Sequence, residues 1–227
     1  MFGRRPALMV LALAMLAAPA VAKTDWASMV SATPEGGILI GNPAAKVKIV
    51  EFASYTCSHC KAFHEAGLPA LKAKYVATGN VSLEQRSFVR NGPDFAASLL
   101  VVCLAPAPGL ALTGRLFADQ EALAKTFIAM TEADNQAITA LPAAQQPGRM
   151  AAISGLDRWA AANGVPAAKG KVCLADEAAQ ERLMVTRNDA LTRYKLEGTP
   201  TFVVNGATAA GVYDWASLEP KVAALLK

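Results

Sequence analysis

Apolar and polar positions along this chain fall into two regimes. Val47-Lys48-Ile49-Val50-Glu51-Phe52-Ala53 is short, β-branched and mostly apolar, the pattern of a buried central strand. After Ser54–Cys60 the period lengthens. Cys60, Phe63, Leu71 and Tyr75 recur at three- to four-residue multiples, with Ala66 and Ala70 on the same stripe, which predicts a helix over Lys61–Val76. Pro69 lies inside it and predicts a kink, because proline lacks an N–H and crowds the carbonyl four residues back. Gly79-Asn80 breaks the pattern, and Val81–Val89 reads as the next strand. The order strand, helix, strand is a βαβ unit.

The second regime runs from about Pro93 to Asp189. It is rich in Ala and Leu, poor in β-branched runs, and broken by Pro106, Pro108, Pro142, Pro147 and Pro166. The spacing predicts short helices near 93–104, 108–117, 119–130, 143–163 and 174–196. The β pattern then returns. Thr201-Phe202-Val203-Val204 ends in Asn205-Gly206, the strongest short hairpin signal, so a second short strand is expected near Ala207–Gly211. Ser217 is expected to cap a last helix, with Pro220 in its first turn and Val222, Leu225 and Leu226 packing inward. The fold class is therefore α/β. The division expected is a polar lead-in at 23–37, a core from 38–92 plus 190–227, and a helical insertion at 93–189.

Residues 1–22 form a separate unit. Arg4 and Arg5 precede the apolar run Ala7–Ala18, and Ala20-Val21-Ala22 places small residues at the −3 and −1 positions of a cleavage site. This is the pattern of a secretory signal peptide; the competing reading is an uncleaved membrane anchor. Removing it takes away two arginines and no acid, leaving 20 basic and 18 acidic residues, formally +2. That near-neutral balance gives no electrostatic case for nucleic acid as a partner. The expected product is soluble and exported, to a bacterial periplasm.

Export sets the redox setting for Cys57, Cys60, Cys103 and Cys173. Cys57-Ser58-His59-Cys60 falls where the first strand hands over to the helix. There Cys57 meets unpaired N–H groups and the positive end of the helix dipole, which favour thiolate, the species that attacks disulfides. Cys60 lies one turn on, within reach to close a disulfide. Ser58 can donate a hydrogen bond, and the His59 imidazole can further stabilise the anion of Cys57. Lowering a thiol from about 8.5 to about 4 stabilises the thiolate by roughly 6 kcal/mol, which makes the disulfide a strong oxidant. A static bridge and half of a zinc site are the other readings. A zinc ribbon would need a second closely spaced pair, and Cys103 and Cys173 stand far apart.

Glu51-Phe52-Ala53-Ser54-Tyr55-Thr56-Cys57-Ser58-His59-Cys60, with Gly198-Thr199-Pro200-Thr201-Phe202 far downstream, resembles the DsbA family of thioredoxin-fold thiol:disulfide oxidoreductases. The resemblance spans nearly all of the chain beyond residue 22, since that family also carries an α-helical insertion in its thioredoxin fold. It implies Cys57 as the exposed nucleophile, Cys60 as the buried resolving thiol, and Pro200 as a cis-proline presenting the backbone of Thr199 to substrate. Glu51 matches a buried acid that relays the proton of Cys60; its plainer reading is a strand-end charge reaching solvent. The resemblance also implies reduced exported clients, a DsbB-like membrane reoxidant, no cofactor beyond the disulfide itself, and a monomer. Two positions depart from the best-known pattern: Ser58 stands where proline is usual, and Thr199 where the archetypal oxidase has valine. Thr199 instead resembles reductases and isomerases kept reduced by a DsbD-like partner.

Cys103 and Cys173 read as a structural bridge pinning the helical segment, with a second redox pair or free thiols as alternatives. His64 reads as a solvated or capping histidine. A binding-module reading would instead use Cys57, Cys60 and His64 to hold copper. Lys61, Lys72 and Lys74 read as the wet face of the helix.

Overall fold

The computed structural model describes residues 24–227. The signal-peptide reading of residues 1–22 lies outside them. No helix among the described residues is long and apolar enough to cross a membrane.

The architecture is α/β: a six-stranded sheet in the order β1-β2-β4-β3-β5-β6, with helices on both sides. Its centre is the parallel pair β3 (Val47–Ala53) and β4 (Val81–Ser87). The antiparallel strands β2 (Ile38–Gly41) and β5 (Thr201–Val204) flank them. β1 (Val30–Ala32) and β6 (Ala207–Thr208) are the edges. The first of these corrects the lead-in reading of 23–37, because Val30–Ala32 pairs with Ile38–Ile40 through a turn at Gly36. The hairpin signal after β5 is realised as expected. Asn205 (φ 49°) and Gly206 (φ 86°) both take left-handed conformations, as a two-residue hairpin with the sheet's twist requires.

The β3–β4 crossover is α1 (Ser58–Ala62), one turn of π-helix at Phe63–Gly67, and α2 (Leu68–Lys74). The expected single stripe is interrupted by that wide turn. Ala66 is exposed, while Gly67, Leu68 and Leu71 take the inward positions. Pro69 sits in the first turn of α2, where its missing N–H is tolerated. Phe63, Leu68 and Leu71 then pack with Ile49, Leu83 and Phe202 of the sheet and with Leu218 and Val222 of the last helix.

Between β4 and β5 come α3 (Gly92–Val102), α4 (Pro106–Ala118), α5 (Gln120–Ile128), α6 (Glu132–Thr139), α7 (Gln146–Ser154), α8 (Leu156–Ala162), α9 (Ala167–Leu174) and α10 (Glu177–Thr192). One expected helix, 143–163, is divided, with Gly155 at φ 79° separating α7 from α8. The helix expected at 174–196 is α10 alone, and α9 falls where none is expected. α6, which a Thr131/Asp134 capping box starts, lies where the spacing predicts no helix. The end of α10 and the segment after it put Ala190, Tyr194 and Leu196 over Phe52, Phe88 and Val203 on the other face of the sheet. Cys103, at the end of α3, is disulfide-bonded to Cys173 of α9, Cα–Cα 5.5 Å.

The last helix, α11 (Trp215–Leu226), is capped by Asp214 rather than Ser217. The Asp214 carboxylate accepts the backbone N–H of Ser217 at 2.8 Å, so Ser217 is the reciprocal member of a capping box. Pro220 lies inside the helix, and Leu225 is exposed rather than packed inward.

Candidate active site

Cys57 is the N-cap of α1, immediately beyond the loop that follows β3. The loop is held from three sides. The Asp94 carboxylate, fully buried on α3, accepts the backbone N–H of Tyr55 at 2.8 Å and that of Arg90 at 2.9 Å. Gln120, the first residue of α5, donates from Nε2 to the carbonyls of Tyr55 (2.8 Å) and Cys57 (3.0 Å). Asn91 donates to the Thr56 hydroxyl at 3.1 Å. The Tyr55 hydroxyl bonds Ser87 and Thr113, and its ring tilts against Phe117. Asp94 and Gln120 were not among the residues read from sequence. Asp94 carried a signal, the Asn91-Gly-Pro-Asp94 spacing of a capped helix start. Gln120 carried none, because the contact spans more than sixty residues of chain.

Both thiols of the pair are free and buried. Cys60 is fully buried, as expected, but Cys57 is only 5% exposed, which corrects its reading as an exposed nucleophile. It lines a cleft of about 480 Å³ together with Ser58, His59, Arg90 and Thr199. The sulfurs are electrostatically unequal. A hydrogen bond from the Cys60 thiol does most to bring Cys57 down from 9.0 to about 5. Burial opposes this, while Thr199 and the backbone N–H groups of Cys60 and His59 reinforce it. Cys60 is pushed far above the usual thiol range, first by burial, then by its bond to Cys57 and the charge of Glu51. The result is one thiolate and one thiol.

The Thr199–Pro200 peptide bond is cis. Thr199 offers Cys57 a partner for each protonation state. Its carbonyl accepts from the sulfur at 3.1 Å when the thiol holds its proton, while a hydroxyl donated to sulfur favours the thiolate. Arg90 donates to that hydroxyl oxygen at 3.4 Å, leaving its hydrogen free for sulfur.

Glu51 is 1% exposed, and one of its carboxyl oxygens has no hydrogen-bond partner. Burial, followed by the negative charge of Cys57, raises it from 4.5 to about 8. The reading of a strand-end charge reaching solvent is therefore corrected. Ser58 and His59 stand exposed on the first turn of α1. His59 reaches Cys57 through its backbone N–H. Its imidazole lies near enough to Asp214 to help hold that carboxyl below its usual range, after the hydrogen bonds from Ser217.

His64 packs against Phe117, its ring 4.9 Å from that of Phe117 and its Nδ1 buried without a partner. Burial, with the charge of Lys72 second, lowers it to about 4. It is half-buried and uncharged at neutral pH, not the solvated histidine expected. Among the described residues, no three His, Cys, Asp or Glu side chains are arranged to hold a metal ion.

Comparison with known proteins agrees with this geometry. A family model described as Thioredoxin matches residues 33–222. A protein-disulfide isomerase of Novosphingobium aromaticivorans is 33% identical, with TM-score 0.80, over 85% of this chain and 98% of its own. The α-DsbA1 of Wolbachia pipientis (TM-score 0.64) is 19% identical over 86% of this chain and 92% of its own, a likeness of fold. A provisionally named protein-disulfide oxidoreductase of Rickettsia bellii is 28% identical over 185 residues, 76% of this chain and 58% of that protein. The chain thus spans little more than half the length of the curated relatives it matches.

Proposed function

We propose, from the premise that this chain belongs to the thioredoxin family and has the DsbA form of its fold, that it is a thiol:disulfide oxidoreductase donating the Cys57–Cys60 disulfide to exported proteins. The observation that carries the reading is the unequal pair: Cys57 held at about 5 beside a Cys60 held well above the thiol range. In the forward reaction a client thiolate attacks Cys57 of the disulfide. The Cys57–Cys60 bond breaks, a client–Cys57 bond forms, and Cys60 leaves and takes a proton. A second client thiolate then attacks the client sulfur of the mixed disulfide. Cys57 departs as the stabilised thiolate, the client has lost two electrons, and the pair has gained them. Glu51, neutral over most of the physiological range, is the nearby buried acid suited to pass the proton to Cys60 and take it back on reoxidation. Thr199, with Pro200 cis, borders the cleft where an extended client would lie. Ser58 and His59 line the entrance.

The setting we propose is the periplasm, reached by cleavage after residue 22, with reoxidation by a DsbB-like membrane protein. The Cys103–Cys173 bridge is of the kind that persists in oxidising compartments. The helical segment 93–189 is an insertion in the core formed by 38–92 and 190–227.

A second reading, a reductase or isomerase kept reduced by a DsbD-like partner, draws support from Thr199 and from the isomerase name of the Novosphingobium relative. Melting separates the two. A thiol depressed from 9.0 to about 5 lends the reduced fold stability that is complete above pH 9 and lost as pH falls toward 5. At pH 7 that amounts to about 3 kcal/mol. The donor reading expects reduced protein to melt above oxidised protein at pH 7 and the gap to narrow by pH 5. Oxidised protein melting higher at pH 7, with a glutathione-referenced potential near thioredoxin's, would move the assignment to the second reading.

A further inference from the structure

A smaller cavity opens beside the thiol cleft and shares two of its residues. Thr56 and Ser58, the chain neighbours of Cys57, line both. From them the cavity runs between α3 and α5, with Leu116 and Leu156 buried at its floor and Ala124 and Phe127 half-buried along one side. It measures about 160 Å³. An apolar cavity of roughly 150 Å³ lined by Leu, Ile and Phe stays dry and takes up benzene. Two of the polar groups at this one are already engaged. Gln120 Nε2 bonds the carbonyls of Tyr55 and Cys57, and Glu121 pairs with Lys61 at 3.4 Å. Most of the remaining lining, Pro93, Ala97, Leu123 and Phe127 with the two floor leucines, is apolar.

We propose that this cavity is a specificity pocket for one apolar side chain, leucine to phenylalanine in size, on the client polypeptide. The inference rests on the oxidoreductase reading and names part of what that site selects. A client cysteine bonded to Cys57 lies one residue from both Thr56 and Ser58. At about 3.4 Å of extended chain per residue, a side chain one or two positions from that cysteine reaches the cavity mouth. The apolar area such a side chain buries corresponds to a preference of about tenfold or more over alanine.

The test uses oxidised protein and two reduced peptides that differ only in Phe or Ala beside the cysteine. The expected result is a second-order rate constant for mixed-disulfide formation at Cys57 about tenfold higher for the Phe peptide, with benzene competing against it and not against the Ala peptide. In Ala124→Leu, which fills the cavity, the two peptides should exchange at nearly equal rates. The benzene competition needs no variant, so it holds should Ala124→Leu not fold. Exchange with dithiothreitol but equal wild-type rates for both peptides would overturn the pocket alone. No exchange even with dithiothreitol would overturn the oxidoreductase reading and the pocket's role with it.

Discussion

At the scale of residues, two buried acids of opposite tendency define the site. Cys57 is anionic where an ordinary thiol is not, and Glu51 is neutral where an ordinary carboxyl is charged. Their effects on stability run in opposite directions with pH. In reduced protein, the Cys57 contribution grows as pH rises from about 5 to 9. The Glu51 contribution, raised from 4.5 to about 8, is complete below 4.5 and lost as pH rises through 8. Oxidation removes the first effect and, with the thiolate charge gone, leaves the larger, burial part of the second. The oxidised protein should therefore lose stability as pH rises from 4.5 toward 8. Glu51→Gln should flatten that decline and raise stability at pH 7 by a few kcal/mol, read as a Tm several degrees higher. An unchanged melting profile would mean that Glu51 is solvated.

At the scale of elements, legibility followed locality. β3, the turn at Asn205-Gly206 and the position of Cys57 at a helix start were readable because each depends on a few adjacent residues. β4 was readable despite Glu84 and Arg86, which lie side by side in the sheet and neutralise one another at 2.7 Å. The π turn before Pro69 was not, since it displaces the apolar stripe by one position and no residue type marks it. α6 and α9 were missed because Ala-rich stretches fit several helix divisions, and Gly155 alone decides one of them. β1 escaped because three residues carry too little pattern. In the site, the placement of Cys57 and Cys60 at a helix start and the cis bond at Pro200 were legible, while Asp94 and Gln120 were not, the partners of Gln120 lying in a distant loop. Gln120→Ala should strip two carbonyls of their donor and lower stability by about 2 kcal/mol, measured by urea unfolding. A loss within error would mean water replaces the amide.

At the scale of the whole molecule, the helices between β4 and β5 do more than cover the sheet. Cys57, Cys60 and Tyr55 pack into one apolar cluster with Leu99, Leu100, Leu116, Phe117 and Leu156, so the thiols belong physically to the helical layer. Cys103–Cys173 closes a span of 70 residues across that layer. Replacing both cysteines with serine should lower stability by about 4 kcal/mol on the chain-entropy model, a Tm drop of roughly 10 °C, seen by calorimetry. Thiol exchange at 25 °C should survive, as neither residue touches the cleft. The amide of Gln120 adds a limit on transplantation. A chimera that moved β3 and the Cys57–Cys60 helix into a scaffold without these helices would carry the sulfurs and the dipole. It would leave behind the one side chain that grips the main chain on both sides of Thr56, and its first cysteine would hang on an untethered hinge.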